Sequence, residues 1–273
     1  MQKILKNSSI IEKKNYHITS LDSTDTYGRY KGKYKVIQSG PVYEVYEFQY
    51  PVQLGIDTSE SRKGLKKRPQ DRTEEYARKR ATRARNHIRR LALANFTAQD
   101  KFLTLTFAEN ITDIEYANNE FRKFIKRLNR KHPKVKYISV IEFQKRGAIH
   151  YHCLIALPYI QKEELQNYWG NGFVFIEKLK DVTNVGAYLS KYMVKDVLDK
   201  RLKEKKSYFT SRGLLRPETE YFDSKGYYKL SEERNLDYSK IAFSNKYTSE
   251  RNGIVKYTEY NTSHEFISKR RKS

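Results

Sequence analysis

The 273-residue chain has few of the residues that cross-link a fold or hold it in a membrane. Cys153 is its single cysteine, so an intrachain disulfide is excluded and we expect a reducing compartment. No run of about 18 apolar residues occurs, and residues 1–15 lack the apolar stretch of a signal peptide. The sequence therefore predicts a cytoplasmic protein with one or two domains.

Acidic residues are also scarce relative to basic ones. Asp and Glu number 32 against 55 Lys and Arg, which gives a formal net charge of +23 and a pI near 9.8. Tryptophan occurs once, whereas Tyr occurs 23 times and Phe 13 times. Cations interspersed with aromatic rings are typical of surfaces that bind single-stranded nucleic acid. The composition therefore predicts a polyanionic partner.

Changes of composition along the chain predict four regions. Residues 1–60 form an N-terminal region with two short strands at 30–50, broken at Gly40-Pro41. A basic linker and helix follow at 61–95, then a compact core at 96–205. Residues 206–273 form a basic, Tyr-rich C-terminal region whose last residues, 268–273, we expect to be a disordered tail.

Hydrophobic periodicity predicts the order of elements in the core. Strands are expected at 101–107, 137–143, 149–157 and 173–176, and helices at 116–131 and 182–205. The two middle strands form a hairpin around 145–147. This order predicts an α+β fold in which helices pack on an antiparallel sheet.

The helix predicted at 71–94 is rich in arginine, with six between Arg78 and Arg90. Such a helix can simply present a solvated face. Given the total charge, we favour an arm that contacts DNA phosphates. The residues assigned to this contact are Arg83, Arg85, Arg89 and Arg90.

Two histidines, His150 and His152, flank Tyr151 in an alternating apolar run. Side chains two apart on a strand share a face, so the histidines can hold one metal ion while Tyr151 points away. If residues 145–147 form a three-residue loop, Glu142 lies opposite His150 and becomes a third ligand; a two-residue loop would turn Glu142 to the other face. Such ligands suit Mg²⁺ or Mn²⁺, although a lone pair of strand histidines can also be purely structural.

A second cluster lies in the helix predicted at 182–205. At about 100° per residue, its tyrosines and lysines fall on one arc beside an apolar arc. The polar arc can be a packed tyrosine pair with solvated lysines, or it can carry a nucleophile, because nearby ammonium groups favour the phenolate. Its members are Tyr188, Lys191, Tyr192 and Lys195.

Three motifs in order, TLTF at 104–107, His150-Tyr151-His152 and Tyr188-Leu-Ser-Lys191-Tyr192, resemble those of the HUH endonucleases, specifically rolling-circle replication initiators of bacterial plasmids and phages. The resemblance implies a ferredoxin-like or RRM-like core at 96–205 and a divalent metal at the histidines. It also implies that Tyr188 is the nucleophile, assisted by Lys191. Tyr192 resembles the second nucleophile of two-tyrosine phage initiators.

The function implied by this resemblance is metal-dependent nicking and rejoining of single-stranded or unwound origin DNA. A 5′-phosphotyrosine would form and leave a 3′-OH primer. The chain lacks a Gly-x-x-x-x-Gly-Lys-Ser/Thr motif, so a separate host helicase is expected beside the host polymerase. The alternatives are an HUH transposase or relaxase, and a nonenzymatic single-stranded DNA-binding protein.

Overall fold

The computed structural model describes residues 30–53, 74–179, 201 and 208–263, and within them ten strands form two five-stranded antiparallel sheets. The strands are β1 (Tyr30–Ser39), β2 (Val42–Gln53), β3 (Lys101–Thr106), β4 (Lys136–Phe143), β5 (Ile149–Ala156), β6 (Val174–Lys178), β7 (Tyr208–Thr210), β8 (Glu218–Phe222), β9 (Ile241–Ser249) and β10 (Gly253–Asn261). The α-helices of these residues are α1 (Glu74–Asn95), α2 (Ile114–Lys131), α3 (Lys162–Trp169) and α4 (Ser224–Glu233).

The central sheet has the strand order β6-β3-β5-β4-β7. Its chain order β3-α2-β4-β5-α3-β6 is that of the ferredoxin-like fold, with β7 added at one edge. The predicted α+β class and the antiparallel sheet with helices packed on it are therefore confirmed. The strand predicted at 173–176 occurs slightly later, at Val174–Lys178.

Helices α2 and α3 cover one face of the central sheet. Asp113 begins α2 by accepting hydrogen bonds from the backbone N–H groups of Glu115 and Tyr116. The helix then buries Phe121 and Phe124 against the sheet. Each such ring contributes roughly 1.5–3 kcal/mol through its burial, so this face is the main core of the domain.

Helix α1 lies between the central sheet and a second sheet, because two sides of the helix carry different residues. Ile88, Leu91 and Ala92 pack with Phe102 and Leu154 of the central sheet. About 100° further round the helix, its arginines face the other sheet. One basic, amphipathic helix therefore joins the two halves of the molecule.

The second sheet, here called the terminal sheet, has the order β8-β1-β2-β10-β9. The strands predicted at 30–50 are confirmed, with a turn at Gly40-Pro41. Their pairing with β8 and β10 was not predicted, because strands so far apart in the chain leave no local pattern. Helix α4 and Leu236 cover one face of this sheet, where Tyr34 stacks on Tyr227 with 4.3 Å between ring centroids.

None of the helices in the described part of the chain combines the length and the apolar character needed to cross a bilayer. Apart from Arg201, the helix predicted at 182–205 lies outside the described residues, as does the tail predicted at 268–273. The boundaries of the four predicted regions stay predictions.

Candidate active site

The hairpin between β4 and β5 sets the geometry of the site. Gly147 has a φ of 91°, a conformation that favours glycine, and its N–H donates to the carbonyl of Gln144 at 2.8 Å. The N–H of Gln144 donates to the carbonyl of Ala148 at 2.9 Å, which closes a three-residue loop. Glu142 consequently pairs with His150, so the predicted register is confirmed.

Both histidines lie on the face of the central sheet opposite α2 and α3. His150 and His152 are 8% and 4% exposed. Tyr151 points to the other face, as predicted: its hydroxyl donates to Asn118 Oδ1 at 2.8 Å, and its ring stacks on Phe121. The i, i+2 spacing therefore separates a packing tyrosine from a pair of histidines available for chemistry.

His152 is held from both sides of its ring. Its Nε2 is 2.5 Å from Glu142 Oε2 and its Nδ1 is 3.1 Å from Thr104 Oγ1. Because an ionised carboxylate only accepts, Nε2 carries the proton and the hydroxyl of Thr104 donates to Nδ1. The ring also stacks on Phe102 with 5.7 Å between centroids. The sequence analysis named Thr104 only within a motif and missed that it orients His152.

His150 is poised as a neutral imidazole. Burial lowers its pKa, and the nearby charges of His152 and Arg146 act in the same direction, while Glu142 opposes them. An imidazole with a pKa below its ordinary value is neutral at pH 7. The neutral ring is the form that binds a metal ion or accepts a proton.

The predicted metal ligands share one face, but they do not form a ready-made metal centre. Across the described ranges, no group of three or more His, Cys, Asp and Glu side chains is arranged to hold an ion. Glu142 and His152 instead bond directly to each other. Two imidazoles and a carboxylate are nevertheless a donor set that suits a divalent ion, which would take the place of the Nε2 proton.

The structure separates the arginines that were predicted to bind DNA. Arg83 is exposed, and Arg85 is partly exposed beside Thr82. Arg90 Nε instead donates to Glu44 Oε2 at 2.6 Å, and Arg89 pairs with Glu259 at 2.6 Å. These two arginines join α1 to the terminal sheet, a role that the sequence analysis did not consider.

Tyr188, Lys191, Tyr192 and Lys195 lie outside the described residues. The described residues that flank this segment both lie close to the site. Leu179 packs with Phe102 and Leu154 on the histidine face, and the guanidinium of Arg201 lies 3.8 Å from the ring centroid of Phe143 at the end of β4.

Residues 100–197 match the family model of the replication-associated protein ORF2 and its phage counterparts. No curated protein and no solved structure matched the chain. The matched segment begins just before β3, contains both histidines and extends past Lys195. This match supports a replication initiator of the Rep type.

Proposed function

We propose that this protein initiates rolling-circle DNA replication by nicking and rejoining one strand at an origin. The observation that carries the proposal is the convergence of His150, His152 and Glu142 on one face of a ferredoxin-like sheet. That face lies within the segment matched by the replication-associated family model. The net charge of +23 favours a DNA partner.

His150, His152 and Glu142 would hold a divalent ion, Mg²⁺ or Mn²⁺, and the ion would supply polarisation of the scissile phosphate. His150 is already neutral and therefore needs no proton loss to become a ligand. Thr104 keeps the ring of His152 aligned with the face. Glu142 accepts the Nε2 proton in the resting site and becomes a ligand when that proton leaves.

Tyr188 is the proposed nucleophile. Its phenol oxygen attacks phosphorus in line and loses its proton, while the bond from phosphorus to the 3′-oxygen breaks. The 5′-phosphate is then linked to the tyrosine, and the departing oxygen takes up a proton to become the 3′-OH primer. Lys191 favours the phenolate, and Tyr192 is the nucleophile proposed for a second transfer.

The positions of Leu179 and Arg201 support placing this nucleophile near the histidines. Leu179 belongs to the hydrophobic cluster on the histidine face, and Arg201 contacts the strand that carries Glu142. The chain between them therefore starts and ends beside the proposed site.

The proposed partners are single-stranded or unwound origin DNA, a host helicase and a host DNA polymerase in the bacterial cytoplasm. Arg83, Arg85 and Lys195 are the proposed phosphate contacts. Arg89 and Arg90 are left out of this set because both are engaged with carboxylates of the terminal sheet.

The test is a nicking assay on a single strand from the cognate replicon, labelled at its 3′ end. With Mg²⁺ or Mn²⁺ present, the label should migrate with the protein under denaturing conditions, and a chelator should abolish this species. Cleavage that leaves a free 5′-phosphate would contradict the tyrosyl mechanism. Tight binding without cleavage in either metal would favour the nonenzymatic alternative.

A further inference from the structure

Two large aromatic side chains stand exposed at the edge of the central sheet. Phe173 and Phe175 are 55% and 52% exposed, whereas Val174 between them is fully buried. The side of β6 that faces α2 and α3 is thus apolar as expected, but its outer side also presents rings where an edge strand ordinarily presents polar groups. Adjacent exposed rings on one face mark a binding surface more often than isolated ones.

These rings are in register with the histidines. Phe175 pairs with Thr104, which pairs with His152 on the next strand. Phe173 exchanges backbone hydrogen bonds of 3.0 and 3.2 Å with Thr106, which pairs with His150. Each ring therefore shares a cross-strand row with one histidine, about 10 Å away across two strand spacings.

The backbone beneath Phe173 is rigidly held. Gly172 has a φ of 151°, and a Cβ there would lie 2.4 Å from the carbonyl oxygen of Thr106. Trp169 Nε1 donates to that same carbonyl at 2.7 Å, and the N–H of Ala108 donates to the carbonyl of Asn171 at 2.9 Å. A rigid aromatic surface loses little conformational entropy when it binds a ligand.

A cation accompanies the rings. Lys162 Nζ lies 5.8 Å from the ring centroid of Phe175. A flat aromatic face beside an ammonium group matches a nucleotide of single-stranded nucleic acid, whose base can stack while its phosphate meets the charge. A duplex does not fit, because its bases are already stacked on each other.

We propose that Phe173 and Phe175 form a base-stacking site for single-stranded DNA that leads the strand across β3 to His150 and His152. This inference rests on the proposed function for the identity of the strand. Lys162 binds phosphate beside the rings, and the register of β6, β3 and β5 sets the distance between the stacked bases and the scissile phosphate.

The first test measures binding of a labelled oligothymidine and of a duplex of equal length by fluorescence anisotropy. Phe173→Ala and Phe175→Ala should each weaken oligothymidine binding by about 5- to 150-fold and leave duplex binding unchanged. The slope of log affinity against log salt should stay the same, because stacking releases no counterions. Phe243→Ala is the matched control, since this phenylalanine is 54% exposed on the terminal sheet.

The second test places a reporter in the site. Phe175→Trp should keep wild-type affinity, and its indole fluorescence should be quenched by oligothymidine but not by duplex. The native Trp169 is fully buried and gives a constant background. Unchanged fluorescence, or alanine variants that bind like the wild type or no worse than Phe243→Ala, would overturn the stacking site.

The nicking assay on the wild-type protein is scored separately. If the alanine variants lose oligothymidine binding while the wild type forms no adduct, the stacking site stands and the proposed nicking fails. If the wild type forms the adduct while both variants bind normally, the nicking stands and the stacking site fails.

Discussion

Helix α1 separates two carboxylates that have different partners. On the terminal sheet, Glu44 accepts both Nε and a terminal nitrogen of Arg90, at 2.6 and 3.1 Å. On the central sheet, Glu142 accepts from His152. A guanidinium keeps its charge at every accessible pH, whereas an imidazole can lose its proton and bind a metal ion. The first pairing is suited to holding an architecture together, and the second to chemistry.

The surroundings of the two carboxylates reinforce this difference. Glu44 also accepts from the Tyr257 hydroxyl at 3.1 Å, and Arg90 also donates to Tyr46 at 3.2 Å. Burial, followed by Glu44, raises the pKa of Tyr46 to about 12 and also raises that of Tyr257, so both phenols stay neutral. This network of arginine, carboxylate and phenols contains no imidazole, whereas the site at Glu142 contains two.

The largest effect is expected from removing the histidines. His150→Ala and His152→Ala should each lower the nicking rate by more than about 100-fold, because each would remove a metal ligand. Affinity for DNA should change little, since basic residues elsewhere carry binding. The measurement is single-turnover adduct formation at saturating DNA.

A matched control is His132→Ala, because His132 ends α2 on the opposite side of the central sheet. This variant should nick at the wild-type rate. Normal nicking by either His150→Ala or His152→Ala would remove that histidine from the site and end the functional distinction between the two carboxylates.

The next effect concerns stability on the terminal sheet. Arg90→Ala should lower the free energy of unfolding by roughly 3–5 kcal/mol, because it leaves Glu44 buried without its main partner. Denaturant unfolding measures this loss. Lys123→Ala, which removes a half-exposed partner of Glu120, should cost less than about 1 kcal/mol. Similar losses in the two variants would show that the Arg90 pair is not structural.

Glu142→Gln sharpens the comparison from the other side. This substitution keeps the shape of the side chain but removes its charge, so affinity for Mn²⁺ should fall by about 10-fold. Isothermal titration with Mn²⁺ measures the change, with Glu177→Gln on β6 as the control. An unchanged titration would mean that Glu142 only orients His152.

The smallest effect is expected on the salt dependence of DNA binding. Arg83→Ala combined with Arg85→Ala should reduce the slope of log affinity against log salt by about 2, one for each lost phosphate contact. Arg83→Lys combined with Arg85→Lys keeps the charges and should keep the slope. If the slope instead falls on replacing Arg89, that residue leaves its ion pair to bind DNA.

The sequence predicted local features of the central sheet well. Alternation in β5 separated Tyr151 from the histidines, and the turn chemistry of residues 145–147 fixed Glu142 opposite His150. The terminal sheet was out of reach because β1 and β8 meet only through tertiary structure. Composition likewise could not distinguish an arginine that faces solvent from Arg90, whose partner Glu44 lies far away in the chain.

The most direct test of the central claim is to identify the residue linked to DNA. After reaction with the cognate single strand and Mn²⁺, nuclease digestion and peptide mass spectrometry should find the nucleotide adduct on Tyr188. Tyr188→Phe should form no first adduct, and Tyr192→Phe should still form it. An adduct on Tyr192 alone would reverse the two roles, and wild-type nicking by the double variant Tyr188→Phe/Tyr192→Phe would contradict the tyrosyl mechanism.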